Sequence, residues 1–170
     1  MWLTGLPAAG KTTLSAALER ALLDRGNLAY RLDGDVIRRD LCSDLGFDRE
    51  SRAENLRRVA HVARILADAG LIAIVSLVSP YAEDRQRART LHEERGLTFI
   101  EVYLDTPIEL CVSRDPKGLY AQARRGELSG LTGAGGAYDP PARPDVRLTP
   151  GPVDASVQRV FGALTAAGVI

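Results

Sequence analysis

Leu3-Thr4-Gly5-Leu6-Pro7-Ala8-Ala9-Gly10-Lys11-Thr12-Thr13 is the stretch that decides the fold. Residues 5–12 match the pattern GxxxxGK[ST], with a short apolar segment, Trp2 to Thr4, before them and helical periodicity after them. That strand-turn-helix context is what gives the motif its meaning. Glycines let backbone N–H groups converge on phosphate oxygens, and the positive end of the following helix adds to the attraction. Gly5, Leu6, Pro7, Ala8, Ala9, Gly10, Lys11, Thr12 and Thr13 are therefore the expected ATP contacts. Lys11 is placed to bridge the β- and γ-phosphates, and Thr12 to offer its hydroxyl to Mg²⁺. A glycine-rich turn with no ligand is the bland alternative, and the context argues against it.

Outward from this stretch, apolar and polar segments alternate in a β-α-β-α order. Lys11 to Arg25 reads as a helix with Leu14, Ala17, Leu18, Ala21 and Leu22 on one face, stopped by Gly26. Leu28 to Leu32 reads as a second strand ending in Asp33-Gly34-Asp35, and a long helix is predicted from about Arg52 to Ala69. Leu71 to Leu77 is a nearly continuous apolar run, the pattern of a strand buried on both faces of a parallel sheet. A polar helix from Tyr81 to Arg95 and a strand from Leu97 to Leu104 follow, and Val146 to Leu148 and Val153 to Ala167 read as a last strand and a closing helix. Between them, Asp115 to Pro144 is rich in glycine and proline and has little periodicity. A segment this long without a repeat inside a domain reads as a functional lid. The expectation is an α/β protein with the P-loop NTPase fold: a parallel five-stranded sheet flanked by helices, in one domain over residues 1–170, with a lid at about 115–144.

The whole chain narrows the function. Lys+Arg and Asp+Glu balance at 22 each, so no global field points to nucleic acid or to an acidic membrane. Apolar residues make up 45%, enough for a core, and the longest apolar run is too short to span a bilayer. Cys42 and Cys111 form no CxxC pair, which suggests neither a disulfide framework nor a zinc site and fits a reducing cytoplasm. Only two of the 22 basic residues are lysines, Lys11 and Lys117, so a retained lysine hints at a site that wants a compact point charge.

A nucleotide motif does not by itself name a reaction. No acid ends the apolar run, where Ser76-Leu77-Val78-Ser79-Pro80 stands in place of a hydrolase's metal-binding aspartate. The acids sit instead at Asp33 and Asp35, at the C-terminal edge of the sheet beside the P-loop, where an acceptor would lie. A carboxylate there can orient or deprotonate an acceptor hydroxyl; the alternative for Asp35 is an N-cap of the Val36 to Leu41 segment. Arg38, Arg52 and Asn55 form an anion-binding set, the last two on one helical face. His61 reads as a surface histidine.

At this point the chain resembles the adenylyl-sulfate kinases. The resemblance rests on Leu3 to Pro7 with Gly10 to Thr13, Leu32-Asp33-Gly34-Asp35 with Arg38, Asp44-Leu45-Gly46-Phe47, and Arg52, Asn55 and Arg57-Arg58. It continues through Asp68 to Ile72, Ser79-Pro80-Tyr81 with Asp84-Arg85, Asp115 to Tyr120, Thr132-Gly133 and the Tyr138 to Pro144 stretch. The ordered set, spanning positions 3 to about 148, is specific where its single pieces are not. It implies transfer of the γ-phosphoryl group of MgATP to the ribose 3′-hydroxyl of adenylyl sulfate. Asp35, Lys11 and Lys117 would then be catalytic, with Asp35 activating the hydroxyl and Lys117 reaching from the lid to the phosphates. Asp33, Asp35, Arg38, Phe47, Arg52, Asn55, Val78, Ser79, Lys117 and Leu131 would hold the acceptor, with Phe47 stacking on its adenine. Mg²⁺ is the implied cofactor, ATP and adenylyl sulfate are the implied partners, and a homodimer is compatible with the size class. Family members usually carry an extension before the P-loop and a Phe where this chain has Leu131. Two rival readings remain open: another P-loop small-molecule kinase, or a nucleotide-binding module of the same fold with weakened catalysis.

Overall fold

Trp2, Leu3 and Thr4 are all buried, and they form the middle strand of the molecule, β1 (Trp2–Thr4). The computed structural model describes residues 1–170. After β1 the chain runs through α1 (Lys11–Leu23), β2 (Ala29–Asp33), α2 (Gly34–Arg39), α3 (Arg49–Asp68), β3 (Ile72–Ser76), α4 (Ala82–Glu93) and β4 (Glu101–Leu104). It continues through α5 (Ile108–Arg114), α6 (Leu119–Arg124), β5 (Leu131–Thr132), β6 (Gly135–Gly136), β7 (Val146–Leu148) and α7 (Val153–Ala166). The main sheet has five parallel strands in the order β2-β3-β1-β4-β7, as the alternating pattern predicts.

The side-chain alternation of the strands builds two cores, one on each face. Leu3, Ile74, Val102 and Leu104 point to one face and pack with Leu14, Leu18 and Leu22 of α1 and with Val157, Val160 and Phe161 of α7. Trp2, Ala73, Val75 and Leu77 point to the other and pack with Leu56, Val59 and Ala63 of α3 and with Ala88 of α4. Trp2 also stacks on Phe99 at 5.9 Å between ring centroids. Because the strands are all parallel, their C-terminal ends open onto the same edge, beside the turn that follows the central β1.

That turn needs glycine at two places. Gly5 has φ +154°, and a Cβ there would lie 2.9 Å from the Leu104 carbonyl oxygen. Gly10, with φ +107°, starts α1 without any side-chain cap, so the first N–H groups of that helix are left for a ligand.

Two expectations are corrected, and one alternative falls away. The strand predicted from Leu97 begins only at Glu101, the residue that pairs with Trp2 at the start of β1. The Asp115 to Pro144 segment is not free of regular structure: it holds α6 and the two-residue pair β5–β6. The Asp115 carboxylate makes α6 possible by accepting from the N–H groups of Tyr120 and Ala121 at 3.2 and 3.0 Å. Finally, the side chain that caps α2 is Asp33, which accepts from the Asp35 N–H, so Asp35 is not a cap.

The two-core arrangement predicts a contrast between neighbouring leucines. Leu18, fully buried between sheet and α7, should cost about 2–5 kcal/mol when changed to Ala, while Leu28→Ala, at a position 66% exposed, should cost less than about 0.5 kcal/mol. Urea denaturation of the two variants checks this.

Candidate active site

The C-terminal edge of the sheet opens into a cleft of about 700 Å³. Its floor is the turn after β1. Lys11 Nζ donates to the carbonyls of Gly5 and Leu6 at 2.9 and 2.8 Å, curled over the loop it serves. The outward carbonyls of the loop are tied from behind: Pro7 accepts from the Tyr120 hydroxyl at 3.1 Å and Ala9 from the Thr106 hydroxyl at 3.1 Å. Pro7 through Thr13 line the cleft, whereas Gly5 and Leu6 contribute through the carbonyls that hold Lys11. Burial pushes the Lys11 ammonium down to about 8, with the nearby Lys117 adding to the effect.

Asp33 sits at the end of β2 and is 7% exposed. One carboxylate oxygen accepts from the Thr12 hydroxyl and from Arg31 Nη1, each at 3.1 Å; the other accepts from the Asp35 N–H at 3.0 Å. Thr12 therefore turns its hydrogen toward Asp33 and leaves its oxygen lone pairs for a cation. Asp35, one turn away on α2, is exposed and forms an ion pair with Lys117, which comes from the turn between α5 and α6. Two of the three groups predicted to be catalytic, far apart in sequence, meet across the cleft.

The opposite wall is arginine-rich. Arg38 donates to the carbonyls of Leu45 and Gly46 and lies 4.7 Å over the Phe47 ring. Arg52 donates to the carbonyls of Phe47 and Gly130, reaches the Thr132 hydroxyl, and lies 5.8 Å from the same ring. Neither guanidinium has a carboxylate partner, unlike Arg49, Arg58 or Arg85. Burial, and then the charge of Arg52, lower the Arg38 guanidinium below its ordinary value, the mark of cations crowded together for an anion. Asn55, 6% exposed, has a buried side-chain oxygen with no hydrogen-bond partner. Phe47 is 65% exposed, free to meet a ring from solvent.

Val78, Ser79 and Leu131 also line the cleft. Leu131 belongs to the core as well as to the cleft wall, so it offers an apolar surface without an aromatic ring. Every residue predicted for the site is thus part of one cavity or of the loop beneath it. Sequence reasoning missed the Thr149 to Gly151 loop, Thr106 and Arg114, which line the far end. The first follows the last strand at the same sheet edge and carries Pro150-Gly151, a signal that the position in the fold makes readable.

The family model for adenylylsulphate kinase matches residues 1–149. The chain belongs to the adenylylsulphate kinase family. It is 50% identical to the adenylyl-sulfate kinase of Saccharomyces cerevisiae over 148 residues, which are 87% of this chain and 73% of that protein. It is 48% identical to the bifunctional enzyme CysN/CysC of Mycobacterium tuberculosis over 165 residues. Those residues are 96% of this chain but only 27% of that protein, so the chain spans about a quarter of the bifunctional enzyme. The structure of the Mycobacterium tuberculosis APS kinase CysC in complex with AMPPNP and APS superposes with a TM-score of 0.94, at 48% identity, covering 96% of this chain and 95% of that one. The match to this adenylylsulphate kinase extends past β7 into α7, beyond the residues of the family model.

Lys11 gives the cleft a pH signature. In the open cleft it loses its proton near pH 8, and bound phosphates draw the proton back. Nucleotide binding above pH 8 should therefore take up a proton and weaken as pH rises, by up to about tenfold per unit until the ordinary lysine value is reached. Calorimetry at about pH 8.5 in two buffers of different ionisation enthalpy reads the uptake, and Lys11→Arg should abolish it.

Proposed function

We propose that this chain transfers the γ-phosphoryl group of ATP to the 3′-hydroxyl of adenylyl sulfate, giving 3′-phosphoadenylyl sulfate and ADP. One observation carries the reading: the Asp35–Lys117 pair stands in the same cleft as the P-loop on one side and the Arg38, Arg52 and Asn55 cluster on the other. Membership of the adenylylsulphate kinase family names the acceptor that this cluster suits.

The geometry supports a role for each residue. The N–H groups at the start of α1 and the Lys11 ammonium hold the ATP phosphates, with Lys11 leaving its loop carbonyls for them. Arg38 and Arg52 take the anionic groups of the acceptor, Asn55 pairs its orphaned oxygen with a ligand N–H, and Phe47 stacks on the base. The Asp35 carboxylate accepts the proton of the 3′-hydroxyl as that oxygen bonds to the γ-phosphorus. The bond to the β,γ-bridging oxygen breaks, and ADP leaves with the electron pair. Lys117, released from Asp35 toward the phosphates, meets the charge as it shifts. No protein nucleophile is needed, and the mechanism is direct.

Mg²⁺ fits this site. Thr12 supplies hard oxygen from a hydroxyl that Asp33 orients, and no cluster of three or more acidic, Cys or His side chains offers an all-protein cage, so most of its shell would come from phosphates and water. When bound it neutralises charge on the β- and γ-phosphates. Residues 1–170, as one P-loop kinase domain, carry both cradle and acceptor wall. No helix is long and apolar enough to cross a membrane, and the free, buried thiols of Cys42 and Cys111 suit a reducing cytoplasm.

The test is incubation with MgATP and adenylyl sulfate and chromatographic detection of 3′-phosphoadenylyl sulfate. Wild type should form product, and Lys11→Ala and Asp35→Asn should each lose at least about a hundredfold in kcat. ATP binding without product from adenylyl sulfate would overturn the acceptor assignment.

A further inference from the structure

Ser79 stands on the cleft wall in a left-handed backbone conformation, φ +47°, and is 5% exposed. Its surroundings hold it from behind with donors. Trp2 Nε1 donates to Ser79 Oγ at 2.9 Å, a buried hydrogen bond. Arg85 Nη1 donates to the Ser79 carbonyl at 2.7 Å, while Arg85 itself is fixed by Glu101 and by the Asp139 carbonyl. The Thr4 hydroxyl donates to the Val78 carbonyl at 2.7 Å and meets the Tyr138 hydroxyl at 3.0 Å. The backbone N–H groups of Val78 and Ser79 make no hydrogen bond within the chain.

An indole N–H is only a donor, whereas a serine hydroxyl both donates and accepts. Trp2 is 1% exposed and stacked on Phe99, so its ring cannot turn away. Its hydrogen occupies a lone pair of Ser79 Oγ, and the Ser79 hydrogen has no acceptor in the chain. No basic side chain contacts that hydroxyl, so it is not an activated nucleophile.

We infer that Trp2 is a positioning residue that fixes the hydrogen-bond polarity of Ser79, making it a dedicated donor to an anionic oxygen of the acceptor. With the two free N–H groups beside it, the Val78–Ser79 turn then presents donors alone, which suits a sulfate or phosphate ester and disfavours a neutral ligand that must donate. The inference rests on the proposed function, in which that oxygen belongs to the phosphate–sulfate group of adenylyl sulfate. Ser79 touches the acceptor; Trp2 acts only through it.

The experiment is a double-mutant cycle on Trp2→Phe and Ser79→Ala, read as KM and kcat for both substrates, with direct calorimetric binding of adenylyl sulfate alongside. Trp2 is the only tryptophan of the chain, so replacing tryptophan by benzothienylalanine, which keeps the ring and lacks the N–H, guards against a packing defect in Trp2→Phe. Ser79→Ala should raise the KM for adenylyl sulfate by at least about tenfold, and either Trp2 change by about fivefold, with the KM for ATP unmoved. In the Ser79→Ala background a Trp2 change should add less than about twofold. Additive effects, an unchanged acceptor KM on loss of the N–H, or equal losses for ATP and acceptor would overturn the inference while leaving the kinase reading intact. A wild type that binds adenylyl sulfate without turnover would sink the kinase reading and leave the binding cycle to judge Trp2. Absence of any adenylyl sulfate binding would overturn both.

Discussion

The carboxylate of Asp33 accepts from the Thr12 hydroxyl and Arg31 through one oxygen, and from the Asp35 N–H through the other. Thr12 opens the helix that cradles phosphate, and Asp35 opens the short helix that faces the acceptor. Both halves of the cleft are thus referenced to one buried charge at the end of β2. A buried carboxylate is tolerable only when its lone pairs are filled, and here two of the donors that fill them, the Thr12 hydroxyl and the Asp35 N–H, belong to residues of the proposed site. Arg31 is held in turn by Glu19 of α1, which closes the frame between helix and strand. Parallel pairing of β2 with β3, register Asp33 to Ser76, sets this frame against the turn that carries Val78 and Ser79.

The electrostatics of the cleft follow from how the arginines are partnered rather than from net charge, which is zero. Arg49, Arg58 and Arg85 are matched with acids and act as struts between elements. Arg38 and Arg52 are held by carbonyls, a hydroxyl and the Phe47 ring, which orient a guanidinium without neutralising it. Oriented and uncompensated cations are what an anionic acceptor requires. The same chain can therefore be globally neutral and locally anion-seeking, because phosphate and sulfate esters answer to the local placement of cations and not to a basic surplus in the composition.

The sheet and both of its cores were legible because strands buried on two faces and amphipathic helices differ in period, and Leu71 to Leu77 and Lys11 to Leu22 show the two periods cleanly. The P-loop was legible because its glycines answer to backbone geometry alone. What stayed hidden depends on contacts between distant segments. The start of β4 at Glu101 coincides with its pairing to Trp2 of β1, a partner 99 residues away. The helix Leu119 to Arg124 relies on a cap from Asp115, a local signal masked by the surrounding glycines and prolines. The bond from Trp2 to Ser79 joins residues 77 apart, and nothing in either neighbourhood announces it. Asp33 was read as an acceptor-side acid from its place at the end of the second strand, beside the P-loop; that its oxygens are already engaged by Thr12, Arg31 and the Asp35 N–H emerges only when β2 and α1 are side by side.

The Asp35–Lys117 pair shows how such a site is kept ready without being locked. Both side chains are more than half exposed, so water already screens their attraction, and parting them costs little. Yet while the cleft is open the pair keeps Lys117, carried by the turn between α5 and α6, leaning over the site beside Asp35. Phosphates entering the P-loop offer Lys117 a denser negative charge in a drier setting, where the same ammonium is worth more. On the proposed reading, Lys117 can then exchange one anion for another without passing through an unpaired state, and Asp35 is left with an empty lone pair facing the acceptor. The contact that spans the open cleft is, on that reading, the one whose breaking arms it.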